Sequence, residues 1–141
     1  MKEPDFILDE RLDADTQLVI SLALCDVRLM RDARFPWLVL VPRHAGLVEM
    51  LDLPSELQPV LWQEIHQTAA ALRTTVPCDK LNIGALGNIV RQLHVHVIAR
   101  REGDAAWPGP VWGYGRAEPY TDNDLHSRIT SLRDRLQVPG H

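Results

Sequence analysis

The 141-residue sequence predicts an α+β domain built on an antiparallel sheet. Three observations carry this. Two apolar, partly β-branched runs, at 18–30 and 37–42, follow one another closely enough to pair as a hairpin. A helical periodicity at 54–75 separates them from a second pair of strands, and another helical periodicity comes after all the strands. Parallel sheets instead alternate strand and helix along the chain.

The elements follow in order. Residues 5–16 are acidic and poorly periodic, with at most a short helical turn. Leu18-Val19-Ile20-Ser21-Leu22-Ala23-Leu24-Cys25, continued by Asp26-Val27-Arg28-Leu29-Met30, reads as a strand. Phe35-Pro36 punctuates it, and Trp37-Leu38-Val39-Leu40-Val41-Pro42 is the second strand. Leu57, Leu61, Ile65, Ala69, Leu72 and Val76 recur every three or four residues, giving one apolar helix face from about Pro54 to Thr75. Its start is ambiguous, because Pro59 would remove a helical hydrogen bond if Ser55 were the cap. Lys80 to Leu86 is a third strand, which Gly87-Asn88 turns into a fourth. Beyond Arg101 an irregular segment rich in glycine and proline carries Trp107, Trp112 and Tyr114. Thr121 with Asp124 then resembles a capped start for a helix at about 121–137 that aligns Leu125, Ile129, Leu132 and Leu136.

One domain accounts for the whole length. The chain is 45% apolar and 24% charged, an ordinary globular composition. No run approaches the roughly 20 apolar residues of a membrane span, and Met1-Lys2-Glu3-Pro4-Asp5 lacks a basic leader, so we expect a cytoplasmic protein with no membrane partner. Cys25 and Cys78 have neither CxxC nor zinc spacing and read as reduced thiols. A formal charge of -4 argues against sequence-independent nucleic-acid binding, which needs a basic face. Between residues 88 and 101, however, the only full charges are Arg91, Arg100 and Arg101, which makes that stretch locally basic.

The chemistry concentrates in Arg91-Gln92-Leu93-His94-Val95-His96-Val97-Ile98-Ala99-Arg100. Side chains alternate along a strand, so Gln92, His94 and His96 should share one face and Leu93, Val95 and Val97 the core face. His44, His66, His126 and His141 have no chemical neighbour in sequence and read as ordinary surface or half-buried residues. A same-face imidazole pair amid apolar residues is costly unless partnered. It can supply two metal ligands, but no Asp or Glu lies nearby in sequence as a third, and arginines repel a cation. It can also perform nucleophilic chemistry at phosphorus, with nearby arginines and amides serving the phosphoryl oxygens.

Gln92-Leu93-His94-Val95-His96-Val97-Ile98 resembles the histidine-triad (HIT) signature, His-φ-His-φ-His-φ-φ with φ apolar, in a proteobacterial-type form with glutamine at the first triad position. Leu24-Cys25-Asp26-Val27, Phe35 to Arg43, Asn82-Ile83-Gly84, Gly87-Asn88 and Trp107-Pro108-Gly109 are also similar to family elements, over roughly residues 18–112. The resemblance implies a HIT-like fold with about five strands and a homodimer in which Trp107 and Trp112 lie near the partner's site; covering their own protomer's core is the alternative. It implies a hydrolase or transferase acting at the α-phosphorus of a purine nucleotide, a dinucleoside polyphosphate or nucleoside phosphoramidate. His94 would attack and carry the nucleotidyl group, and His96 would donate to a phosphate oxygen. Asp26 would hold the ribose hydroxyls, with Asn82 and Asn88 as further substrate contacts. Gln92 can hydrogen-bond but cannot relay a proton as imidazole does. No metal is required, though a divalent cation can accompany a polyphosphate. Two other classes compete: a nucleotide-binding module with little turnover, and a metal-dependent H-x-H enzyme.

Overall fold

A computed structural model describes residues 5–137, so His141 and the first four residues lie outside it. The order is α1 (Glu10–Asp15), β1 (Thr16–Ser21), β2 (Cys25–Met30), β3 (Trp37–Pro42), α2 (Gln58–Thr75), β4 (Lys80–Gly84), β5 (Val95–Arg100) and α3 (Asp122–Gln137). The five strands form one sheet in the order β1-β2-β3-β5-β4, and every neighbouring pair is antiparallel.

The apolar run at 18–30 is two strands, not one. Leu22 N–H donates to the Cys25 carbonyl at 2.8 Å, closing a turn between β1 and β2. The buried Glu64 carboxylate on α2 accepts from Leu24 N–H at 2.9 Å and Cys25 N–H at 2.8 Å. Leu22, Ala23 and Leu24 carry no turn signal of their own, because the partner for their exposed backbone comes from a distant helix.

The long helix starts where its proline permits. A short 3-10 turn at Ser55–Leu57 precedes it, and Pro59 falls in the first turn of α2, where no helical N–H is needed. Leu61, Ile65, Ala69 and Leu72 are buried, as the periodicity predicts. Thr121 Oγ1 accepts from Asp124 N–H at 3.1 Å, and Ile129, Leu132 and Leu136 on α3 are buried.

Both faces of the sheet are covered. Val27, Leu29, Leu38, Leu40, Val95 and Val97 meet α2 and α3 in the larger core. On the opposite face Trp37, Val39, Val41 and Ile98 pack against Phe6 and Leu12 from the N-terminal segment and Ala106 and Val111 from the segment after β5. All six residues of β5 are therefore buried, including the imidazole of His96. Cys25 and Cys78 are free thiols; burial and the neighbouring Glu64 carboxylate push the Cys25 thiol up and leave it unreactive.

Candidate active site

His94 and His96 meet at the start of β5. Their ring centroids are 4.9 Å apart in an edge-on arrangement, and both residues are buried. His94 immediately precedes the strand and His96 lies within it, so the two-residue spacing brings the imidazoles together as alternation requires.

Hydrogen bonds set the two rings in opposite tautomers. His94 Nδ1 lies 2.7 Å from the Gln92 carbonyl oxygen. A carbonyl only accepts, so Nδ1 carries the proton, and in the neutral ring Nε2 keeps its lone pair. His96 Nδ1 lies 3.0 Å from Trp37 Nε1. Indole only donates, so here Nδ1 accepts and the neutral ring has its proton on Nε2. One imidazole offers a nucleophilic nitrogen and its neighbour an N–H donor.

Aromatic rings hold His96 on two sides, Trp37 at 5.7 Å and Trp112 at 5.3 Å between centroids. Gly84 is the β4 residue opposite His96, and a Cβ built there would lie in ordinary van der Waals contact with the Trp112 ring, at 3.4 Å. Trp112 thus covers its own protomer's site. Trp107 stacks near Arg100, whose guanidinium lies 5.5 Å from its ring centroid.

Burial, with His94 beside it, pulls the His96 pKa down from 6.5 to about 3. The unfolded chain then takes up a proton on this ring between pH 6.5 and 3 that the folded chain refuses. Its contribution to stability is present above pH 6.5 and is lost as the pH falls toward 3, by about a few kcal/mol. Thermal melts between pH 7 and 4 should show a falling midpoint, and His96→Gln should flatten that acid limb. An unchanged limb in the variant would place the acid sensitivity elsewhere.

Asp26 stands on β2 opposite Val41 of β3, on the sheet face that carries Trp37 and His96. Its Oδ1 accepts from Ser21 Oγ at 2.6 Å and Arg43 Nη1 at 2.9 Å. Both bonds fall on Oδ1, and Oδ2 retains acceptor capacity for a ligand. Arg43 is itself buried and its N–H donates to the Leu24 carbonyl at 2.9 Å, which ties the carboxylate to the β1–β2 turn.

The other sequence-selected residues lie on β4, on β5 and in the connection between them. Asn82 pairs with Ile98, not with a histidine, and its Oδ1 accepts from Arg100 Nη1 at 2.9 Å. Arg100 is 2% exposed and faces Asp104, so it does not supply the local positive charge suggested by the sequence. The connection from β4 to β5 spans residues 85–94 and is not a tight turn; Asn88 is exposed within it. Gln92 lies just before β5, and its side chain turns toward the N-terminal segment. Its Oε1 accepts from Asp9 N–H and its Nε2 donates to the Ile7 carbonyl, both at 2.8 Å. Sequence reasoning missed Trp37, Arg43 and Glu64; only Trp37, just after a proline and at the head of a strand neighbouring β5, carried a usable signal.

A cavity of about 210 Å³ opens beside His94, lined by Val48, Met50, Leu51, Leu86 and Leu93 among others. Among the described residues, no group of three or more His, Cys, Asp or Glu side chains is placed to hold a metal ion, and no helix is long and apolar enough to cross a membrane.

A five-stranded antiparallel sheet with paired imidazoles at the head of one strand defines the α+β class of this domain. The family model of the HIT domain matches residues 11–103, and the chain belongs to the HIT family. A histidine triad (HIT) protein from Sinorhizobium meliloti 1021 is similar at 50% identity and a TM-score of 0.91, over 93% of this chain and 97% of that one. A histidine triad protein from Bradyrhizobium japonicum is similar at 46% identity and a TM-score of 0.92, over 94% and 99%. Another, from Marinobacter aquaeolei VT8, is similar at 45% identity and a TM-score of 0.91, over 94% and 96%. A comparison with curated proteins finds no match.

Proposed function

We propose that the protein hydrolyses a phosphoanhydride or phosphoramidate bond at the α-phosphorus of a small purine nucleotide, by way of a nucleotidyl-histidine. The opposite tautomers of His94 and His96 carry this reading. His94 Nε2 attacks phosphorus with its lone pair, the bond from phosphorus to the leaving group breaks, and the phosphoryl charge is met by the His96 Nε2–H donor. Water then attacks the same phosphorus, the P–N bond breaks, and nucleoside monophosphate departs. Asp26 accepts from the ribose hydroxyls through Oδ2, as suits an acceptor-only group held by Arg43. Asn82 and Asn88 are further substrate contacts in this scheme, Asn82 through the amide that Arg100 leaves it.

No resident metal takes part; a divalent cation bound to a polyphosphate arrives with the substrate. The competing reading, a binding module with little turnover, draws on Gln92 at the first triad position. The metal-dependent reading has two imidazoles and no third donor assembled among the described residues. We place the protein in the cytoplasm and infer a homodimer through the outer edge of β4, a strand with only one neighbour, where Ile83 is 47% exposed and Leu86, just past the strand's end, 44%.

Rapid mixing with diadenosine triphosphate or adenosine 5′-phosphoramidate, acid-sparing quench and intact mass measurement should reveal one adenylyl group per chain, mapped to His94. Binding of both compounds without adduct or hydrolysis would favour the binding module.

A further inference from the structure

We propose that Gln92 is a positioning residue that couples the N-terminal segment to the nucleophile: its side chain clasps the backbone of residues 7–9 while its own carbonyl fixes the tautomer of His94. The inference rests on the reading of His94 as nucleophile.

Residue 92 is held from two directions. Its Oε1 accepts from Asp9 N–H at 2.8 Å and its Nε2 donates to the Ile7 carbonyl at 2.8 Å. The carbonyl of one residue and the N–H two residues on are the pair that an adjoining strand would satisfy. The side-chain amide takes that strand's place. Its coplanar donor and acceptor match the peptide edge, whereas a neutral imidazole points its donor and acceptor in divergent directions. Glutamine at this position is therefore more than a histidine that has lost its proton relay.

The clasped segment is itself anchored. Asp9 caps α1 by accepting from Arg11 N–H at 2.8 Å, and Arg11 Nη1 donates to the Ile89 carbonyl at 3.2 Å. Phe6 and Leu12 are buried in the core beneath, with Val39 and Val41. On the other side, the Gln92 carbonyl accepts from His94 Nδ1 at 2.7 Å. The connection 85–94 has no regular structure, and among the described residues the 92–93 peptide has one further tie, Leu93 N–H to the Leu47 carbonyl at 3.0 Å. Two constraints thus aim the carbonyl that orients the attacking ring, and one of them is the amide clasp.

The test compares Gln92→Leu, which keeps the bulk and removes both bonds, with Asp9→Pro, which removes only the N–H from the clasp. Asp9 has φ −57°, within the range proline imposes. Asp9→Ala removes the same helix cap while keeping the N–H, so it measures the cap's share. Nitrogen-15 shifts of the imidazole of His94, recorded on folded protein without ligand, report its tautomer directly. Wild type should show a protonated Nδ1; Gln92→Leu and Asp9→Pro should show averaged tautomers. Turnover of diadenosine triphosphate should fall roughly tenfold in kcat with KM within about twofold, and Asp9→Pro should add little in a Gln92→Leu background. An unaltered His94 tautomer in folded Gln92→Leu overturns the proposal. An altered tautomer in a protein whose parent hydrolyses neither probe would instead overturn the hydrolase reading and leave the coupling intact.

Discussion

His94→Ala is expected to retain nucleotide binding and lose turnover by several orders of magnitude. The reason is specific to the covalent route. Deleting the ring removes the only nitrogen in the pair that keeps a free lone pair, since His96 Nδ1 already accepts from Trp37 and its Nε2 carries the proton. His96 cannot take over the attack without first exchanging tautomers against the indole donor. Asp26, the proposed ribose anchor, lies two strands away and is untouched, so affinity should survive. Trp37→Phe is expected to be milder, roughly a ten- to hundredfold loss of kcat, because the ring stays in place and only its tautomer is released. Single-turnover rates beside equilibrium binding of the same nucleotide separate the two effects. Near-normal turnover by His94→Ala on every substrate of the parent would show that His94 is not the nucleophile.

The pairing of the two histidines was legible because it depends on local geometry: a two-residue spacing in an extended strand puts two side chains on one face whatever surrounds them. The strand at 37–42 and the helix after Thr121 were legible for the same reason, each carrying its own signal in composition or capping. What could not be read depended on distant backbone. The β1–β2 turn exists because Glu64, on a helix far along the chain, accepts its N–H groups, and an apolar run gives no hint of that. Gln92 looked like a weakened relay until the peptide edge at Ile7 and Asp9 gave its amide a partner. Arg100, with Arg91 and Arg101, looked like local positive charge available to a phosphoryl group. Its neutraliser, Asp104, lies four residues on, past the end of β5. Charge counted along a sequence reports neither which face an arginine occupies nor what it already holds.

That arginine sets the second large effect. Arg100→Met is expected to destabilise the fold by about 3–5 kcal/mol, because it strands a buried carboxylate. Arg100 Nε and Nη2 donate to Asp104 Oδ2 and Oδ1 at 2.7 and 2.9 Å, Nη1 to Asn82 Oδ1 at 2.9 Å and Nη2 to the Gly109 carbonyl at 2.9 Å. These bonds join β5, β4 and the segment after β5 at one guanidinium, and they hold the Asp104 carboxyl below the usual carboxylate range. Asp104 in turn accepts from Trp107 N–H at 2.9 Å and Ala106 N–H at 3.2 Å, so the loss should spread into the segment that seats Trp112 against His96. Urea midpoints should fall and the melting temperature should drop by roughly 10–20 °C. Pairing Arg100→Met with Asp104→Leu removes the stranded charge as well, and part of the loss should return in that double variant. A drop under about 3 °C in Arg100→Met would mean that water reaches the carboxylate once the guanidinium is gone and that the pair does not tie the segment to the sheet.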